Sequence, residues 1–458
     1  MTNAKLLVFV EHDFIARHFL MSRAFDALAR EAELLFVFPA VGTKRFTIDP
    51  STLPLPAPFV RIPIDAQRQV RWRWLFFAEQ LRWRPGADAA ALRYLRRESL
   101  GQKATILLTT AGLPGIRQVF DRVVRRQIAR RPNLALQRLI AETRPAALIH
   151  PSVLEGLFIN DLVEIGAARG IPTVAIMNSW DNPSTKRAIV GLPDWLLVWG
   201  SQTRTHAERF MRMPPERVVS FGAAQLDVFR EPPRIDRAEF CRRHDADPDL
   251  PLILYAGSSK GADEFAQLLA LEQAIDAGTA PAATIVYRPH PWGDGGHEGG
   301  RTLHQSWRHV RVETTMRTYL ERVAAGDRRA ALPDYRDTHD TLACVDAVIS
   351  PLSTILIEAA MHAKPVLCQL PVDEPGAAHF RLAQGLPCFR DIIDCPDFMS
   401  AEGRQGLLDR FPQLVAAARN PAAGASARAA ARHFVEPFTE PWGERLAAFV
   451  NDRVLVHR

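Results

Sequence analysis

Lysine is nearly missing from this chain. Of its 57 basic residues in 458, six are Lys, which leaves 51 Arg. Cysteine is scarce too: Cys241, Cys344, Cys368, Cys388 and Cys395 are scattered, with no C-x-x-C pair. That spacing excludes a disulfide scaffold and a zinc ribbon, and predicts small core residues in a reducing compartment. Long apolar runs are absent. The opening Leu6–Val10 stretch turns charged at Glu11, His12 and Asp13, too short for a signal-peptide core and far from the roughly 18 residues of a membrane span. A cytoplasmic protein is expected, with any membrane contact peripheral, at the inner face of the cell membrane. No G-x-x-x-x-G-K-[ST] loop occurs and no G-x-G-x-x-G follows the first apolar run, which argues against an ATPase and a nicotinamide enzyme. With 47% hydrophobic and 24% charged residues, the chain has a globular composition.

Short apolar runs alternate with amphipathic ones. Leu6–Val10, Leu34–Phe38, Ala147–His150, Thr173–Met177, Trp195–Trp199 and Val218–Phe221 read as strands. Phe14–Ala29, Gly156–Ala168 and Gln202–Met211 read as helices. This rhythm predicts a parallel sheet covered on both faces. Glu231-Pro232-Pro233-Arg234 and Asp245-Ala246-Asp247-Pro248-Asp249 suit a linker. The rhythm then restarts at Leu252–Ala256 and continues through Ile285–Tyr287, Ala347–Ile349 and Val366–Cys368. Two doubly wound, Rossmann-like α/β domains are expected, at 1–235 and 236–435, with a C-terminal helix over 436–458 packing back. Such a pair implies a cleft, with ligands at the carboxyl ends of strands.

Polar residues follow three strands of the second half. Ser350-Pro351-Leu352-Ser353-Thr354 opens a helix that carries Glu358 one turn on. A Ser or Thr cap beside the first helical N–H groups suits phosphate, and a carboxylate one turn later suits ribose hydroxyls. A plain helix cap is the competing reading. Tyr287-Arg288-Pro289-His290-Pro291 places Arg288 and His290 in a Pro-held turn fit for pyrophosphate, or merely a rigid turn. Gly257-Ser258-Ser259 lets backbone approach a phosphate or a sugar. In the first half, Asp181, Asn182 and Lys186 follow Thr173–Met177 and can hydrogen-bond sugar hydroxyls or donor phosphate.

These clusters carry a resemblance. With Asp346 and Pro365, and above all the Cys344–Leu367 run CVDAVISPLSTILIEAAMHAKPVL, they look like the donor half of a GT-B glycosyltransferase. Arg288-Pro289-His290-Pro291 resembles the His-Pro element of bacterial capsule and sialic-acid-type transferases, of CDP-glycerol glycerophosphotransferases and of non-hydrolysing UDP-N-acetylglucosamine 2-epimerases. Met177–Lys186 and Val218–Asp227 resemble segments of surface-carbohydrate biosynthesis proteins. The resemblance implies the GT-B fold and a nucleotide-sugar donor, CMP-, CDP- or UDP-linked, as substrate and not cofactor. It also implies that His290, Ser353 and Thr354 hold donor phosphates and Glu358 the ribose.

An inverting transferase would need a base for the acceptor hydroxyl. His12 or Asp13, just beyond the first strand, is expected, with Glu155 as rival. His290, Arg288 and the helix start at Ser353–Thr354 would help the nucleotide leave. No metal is expected: Asp245 and Asp247 lie in the linker and read as a turn, and His297 and Glu298 read as solvated. The expected activity is transfer of a sugar to a surface-glycan or lipid-linked acceptor. A CDP-glycerol-type phosphotransferase, a sugar-nucleotide epimerase and a non-catalytic nucleotide-binding protein are the alternatives. Residues 61–131 hold 15 Arg and one Lys against five acids, +11 in a chain of net +6. Trp72, Trp74, Trp83, Phe76 and Phe77 are interleaved. That pattern suits an anionic membrane surface, or a solvated Arg-rich helix pair with Trp in its core. No motif supports a nucleic-acid partner.

Overall fold

Thirteen strands among the described residues form two wholly parallel sheets of seven and six. The computed structural model describes residues 4–40, 46–81, 87–153, 156–186, 189–258, 262–291, 301–327, 332–374 and 377–456. Glu155, Trp83, Ser259, His297 and Glu298, and the Lys186 side chain, lie outside the described set. The chain divides into one unit of 1–227 with 435–458, and a second of 228–434.

The first unit holds β1 (Lys5–Phe9), β2 (Glu33–Pro39), β3 (Phe59–Ile62), β4 (Ala147–His150), β5 (Thr173–Ile176), β6 (Trp195–Val198) and β7 (Val218–Ser220), ordered β3-β2-β1-β4-β5-β6-β7. The central strands are apolar along their length because both faces are covered. The order reverses between β1 and β4, and there a parallel sheet leaves a crevice at its carboxyl edge. The expected helix over Phe14–Ala29 is broken. Asp13–Ile15 runs into a π-turn at Ala16–Leu20, Arg23 adopts a left-handed φ of 58°, and a new helix spans Asp26–Glu31.

Residues between β3 and β4 form more than a pair of helices. Ala66–Leu81, Ala87–Leu100, Gln102–Ala111, Ile116–Ala129 and Leu134–Thr143 follow in succession. Trp72 packs with Leu75, Val124 and Ile128, and Phe76 and Phe77 with Leu108 and Ala111. A buried ion pair ties this bundle to the sheet. Arg68 Nε donates to Asp161 Oδ1 at 2.7 Å, and its Nη1 donates to the Ile128 and Arg131 carbonyls. Asp161 also accepts from Trp72 Nε1 and Asn133 Nδ2.

The last α-helix among the described residues, Trp442–Phe449, returns to this same unit. Trp442 packs edge-on against Phe19 and Phe221, and its backbone N–H donates to Asp227 Oδ2 at 2.9 Å. Gly443 is closely packed: a Cβ there would lie 3.0 Å from the Ala24 carbonyl oxygen.

The second unit holds β8 (Leu252–Ala256), β9 (Thr284–Arg288), β10 (Val310–Val312), β11 (Ala347–Ser350), β12 (Val366–Leu370) and β13 (Met399–Glu402), ordered β10-β9-β8-β11-β12-β13. Here the order reverses between β8 and β11. Tyr255, Tyr287, Ile349 and Leu367 share one core face with Leu407, Phe411 and Leu414. Alternation sends the next residues to the opposite face. Ala256 pairs with Arg288, Ile349 with Tyr255, and Ser350 with Cys368. Arg288, Ala256, Ser350 and Cys368 therefore stand in one row across four adjacent strands. Four of the five cysteines are buried, and all five are free thiols.

Candidate functional site

In the second unit, the expected residues collect at the carboxyl edge around the β8/β11 reversal. Gly257 follows β8 directly. A Cβ there would lie 2.8 Å from Glu264 Cδ, so only glycine fits. Glu264, buried at the start of helix Glu264–Asp276, accepts the Ser258 N–H at 2.6 Å and the Tyr287 hydroxyl at 2.5 Å. The Gly257–Ser258 backbone is thus set from below by a carboxylate.

Arg288 ends β9 and is 8% exposed, yet its Nη1 has no hydrogen-bond partner. Ser350, level with it at the end of β11, is fully buried, and its Oγ has none either. A buried cation and a buried hydroxyl without partners are costly, and an anion removes that cost. His290 lies just beyond. Burial pulls its imidazole down to about 4, so it is neutral near pH 7. Ser353 precedes helix Thr354–Met361 in extended conformation, and its hydroxyl makes no cap bond. Glu358 is buried one turn along that helix.

A second layer was not anticipated from the sequence. The Tyr255 hydroxyl donates to Gln267, whose Nε2 donates to Glu374 Oε1 at 2.5 Å, while Glu374 Oε2 accepts the Asp263 N–H. Burial pushes the Tyr255 phenol well above its ordinary value and raises the Glu374 carboxyl. The available signal was the pair Tyr255 and Tyr287 on two core strands, because buried phenols require acceptors.

In the first unit, the β1/β4 reversal gathers a different set. Glu11, 4% exposed, accepts the Leu157 and Phe158 N–H groups at 2.7 and 3.0 Å. His150 Nε2 approaches Glu11 at 3.1 Å without hydrogen-bond alignment. His12 caps its helix: Nδ1 accepts the Phe14 N–H, which leaves the proton of a neutral ring on Nε2. Asp13 accepts from Thr47 N at 2.9 Å, Thr47 Oγ1 at 2.6 Å and Ile48 N at 3.2 Å.

His18, absent from the sequence-based candidates, sits on the π-turn, a form of helix frequent at functional sites. It hydrogen-bonds the Asn178 backbone and lies near Arg17 and His12. Burial, then Arg17, pulls it down to about 3. Asp181 accepts from Ser179 Oγ and Asn182 Nδ2. Asn182 is fully buried, and its Oδ1 lacks a partner. It opens another π-turn, Asn182–Lys186, where the Thr185 carbonyl accepts from Gln80 and Arg96 of the helical bundle. Among the described residues, no group of three His, Cys, Asp or Glu side chains is placed to hold a metal ion. No helix of the described residues is long and apolar enough to cross a membrane.

Solved structures match the chain over nearly its whole length at low sequence identity. S. aureus MnaA in complex with UDP superposes with a TM-score of 0.56 at 12% identity, over 99% of this chain and 98% of that one. The chain has the GT-B fold. A glycosyltransferase from Rickettsia africae matches with a TM-score of 0.51 at 9% identity, over the whole of both chains. The UDP-N-acetylglucosamine 2-epimerase of Rickettsia bellii gives 0.50 at 12% identity, over 99% and 97%. At these identities the shared property is the fold. No family model matches the sequence, and no curated protein does. The expected resemblance to GT-B enzymes of the transferase and epimerase type holds at the level of architecture.

Proposed function

We propose that the protein is a glycosyltransferase that takes a sugar from a nucleotide-activated donor and passes it to a surface-glycan or lipid-linked acceptor. The observation that carries this reading is the row at the second sheet's edge, where Arg288 Nη1 and Ser350 Oγ are buried without partners. A nucleotide diphosphate supplies the missing acceptors. Gly257 and Ser258 lie beside it, Ser353 and Thr354 offer the helix start, and Glu358 takes the ribose. His290, neutral before binding, gains a proton as the phosphate charge builds and so assists departure of the nucleotide. The UDP of the S. aureus structure is the chemical precedent.

The acceptor lies against the first unit, with Asp181, Asn182 and Lys186 as sugar contacts. Asn182 supports this best, because its Oδ1 is an unused buried acceptor. Asp13 is the preferred base over His12. The Nδ1 lone pair of His12 is occupied, whereas a carboxylate with three bonds retains acceptor capacity. Glu155 completes the candidates.

Titration calorimetry with CMP, CDP and UDP tests the donor site. Parent protein is expected to bind at least one of them, and Arg288→Ala and Thr354→Ala to weaken it. Unchanged binding by both variants overturns the site. The epimerase-type architecture of a matching structure supports a second reading. An epimerised nucleotide sugar released without acceptor would select it over the transferase.

A further inference from the structure

The helices between β3 and β4 present an apolar, basic surface that no packing explains. Trp72, Phe76 and Phe77, conspicuous in the sequence, are buried within the bundle. Other residues face outward: Val70, Trp74, Ile106, Leu107, Ile116, Val119 and Val123. Leu107 is 66% exposed, Ile106 58% and Trp74 45%. These seven are half of the large hydrophobics exposed among the described residues, concentrated in a span of 54 residues.

Their placement on the helices is ordered. On Ile116–Ala129 and its cap Arg130, the residues Ile116, Val119, Arg122, Val123, Arg126 and Arg130 fall within about 120° of arc at 3.6 residues per turn. Buried Val124 and Ile128 lie on the other side. Arg122, Arg126 and Arg130 are exposed and form no ion pair among the described residues. On Gln102–Ala111, the residues Lys103, Ile106, Leu107 and Thr110 share the outer face, against buried Thr105, Leu108 and Ala111. A groove of about 260 Å³ beside Val70 and Trp74 is lined also by Ala66, Gln67, Arg71 and Gln127. Aliphatic side chains and Trp interleaved with unpaired Arg match an interface with an apolar interior and an anionic surface.

We propose that this face, formed by helices Ala66–Leu81, Gln102–Ala111 and Ile116–Ala129, docks on the surface of an anionic phospholipid bilayer. Ile106, Leu107, Val119 and Val123 enter the headgroup region, and Arg122, Arg126 and Arg130 lie against lipid phosphates. Charge complementarity selects this occupant: Lys103, Arg122, Arg126 and Arg130 are exposed on this face with no ion pair among the described residues, within a stretch, residues 61–131, of formal charge +11. The surface serves the transferase reading by placing the first unit near lipid-linked acceptors, but its binding is independent of turnover.

Co-sedimentation of the full chain with two vesicle types tests it: phosphatidylcholine alone, and phosphatidylcholine with phosphatidylglycerol. Binding is expected on the second only and falls with added salt. Arg122→Glu/Arg126→Glu is expected to weaken it by at least about tenfold, given about 1 kcal/mol per basic residue at such a surface. Ile106→Ser/Leu107→Ser weakens it comparably, with melting temperature and nucleotide binding as in the parent. Equal binding to both vesicles, no binding to either, or variants that bind like the parent would overturn the proposal. So would a smaller particle for Leu107→Glu by light scattering, which would assign the face to a second copy. Capture by RNA but not by anionic vesicles would assign it to nucleic acid. A chain that binds vesicles but no nucleotide leaves the docking face standing and removes the transferase.

Discussion

At the end of β1, one oxygen of Glu11, Oε2, accepts two backbone N–H groups and has His150 against it. At the end of β9, Arg288 keeps an unmatched Nη1 in a buried position. Both sheets reverse strand order nearby, and both place a buried carboxylate under the reversal loop, Glu11 in one and Glu264 in the other. The second sheet adds a buried cation and a buried hydroxyl, Arg288 and Ser350, that each keep a polar atom without a partner. The same topology thus yields one buried edge group held by backbone donors and one that keeps an unmatched donor. Charged residues after strands are not equivalent, and what separates them is whether the fold already satisfies them.

The largest test of this contrast is Glu11→Ala. It leaves the Leu157 and Phe158 N–H groups buried without an acceptor, and a loss of about 2–4 kcal/mol in chemical unfolding is expected. Nucleotide affinity of the surviving folded protein should not change. Arg288→Met should do the reverse. Removing an unpaired buried cation is expected to leave the melting temperature of the free protein equal or higher. Nucleotide binding should weaken by about 30- to 100-fold, the worth of a charged hydrogen bond. A destabilised Arg288→Met would mean that the fold, not a ligand, uses that guanidinium. Gly257→Ala comes next. Its Cβ forces Glu264 aside, at about 1–3 kcal/mol by denaturation, and the displaced Ser258 loop should weaken nucleotide binding as well.

The last test is a pH dependence. His290 is held down at about 4 against an ordinary 6.5, by burial. Its folded pKa is depressed, so the unfolded chain binds the proton first. Stability is unaffected above about pH 6.5 and declines as pH falls toward about 4. Replacing His290 by Asn should flatten part of that decline, with no change at pH 8. His362, also at about 4 through burial, contributes in the same direction and leaves a residual slope.

Central strands were legible, and of the four edge strands only β7 was. Ala147–His150 and Leu252–Ala256 were placed to the residue because both faces of a central parallel strand are covered, so the run is apolar without interruption. The strands not anticipated are β3, β10 and β13, all at sheet edges. Phe59–Ile62 alternates exposed Phe59 and Arg61 with Val60 and Ile62 and follows a proline, so no apolar run marks it. The break in Phe14–Ala29 is unmarked in the sequence, because apolar residues recur through the π-turn, where Ala16, Phe19 and Leu20 are buried. At the site, Arg288, Ser350 and Gly257 were found by following strand ends. Glu264, Gln267 and Glu374 were not, since their role depends on contacts between distant segments, such as Gln267 with Glu374. His18 was passed over because nothing in sequence shows that the chain turns it toward Asn178.

The return of Trp442–Phe449 to the first unit has a consequence for biosynthesis. Residues 228–434 are one uninterrupted segment and can complete their sheet as soon as they leave the ribosome. Residues 1–227 emerge earlier yet lack Trp442, Leu446, Phe449 and Val450, which are buried members of their core. Synthesis at about 5–20 residues per second delays that supply by more than ten seconds. Residues 1–227 thus complete their core only after residues 228–434 are made, and in the interval Phe19 and Phe221 lack the cover of Trp442.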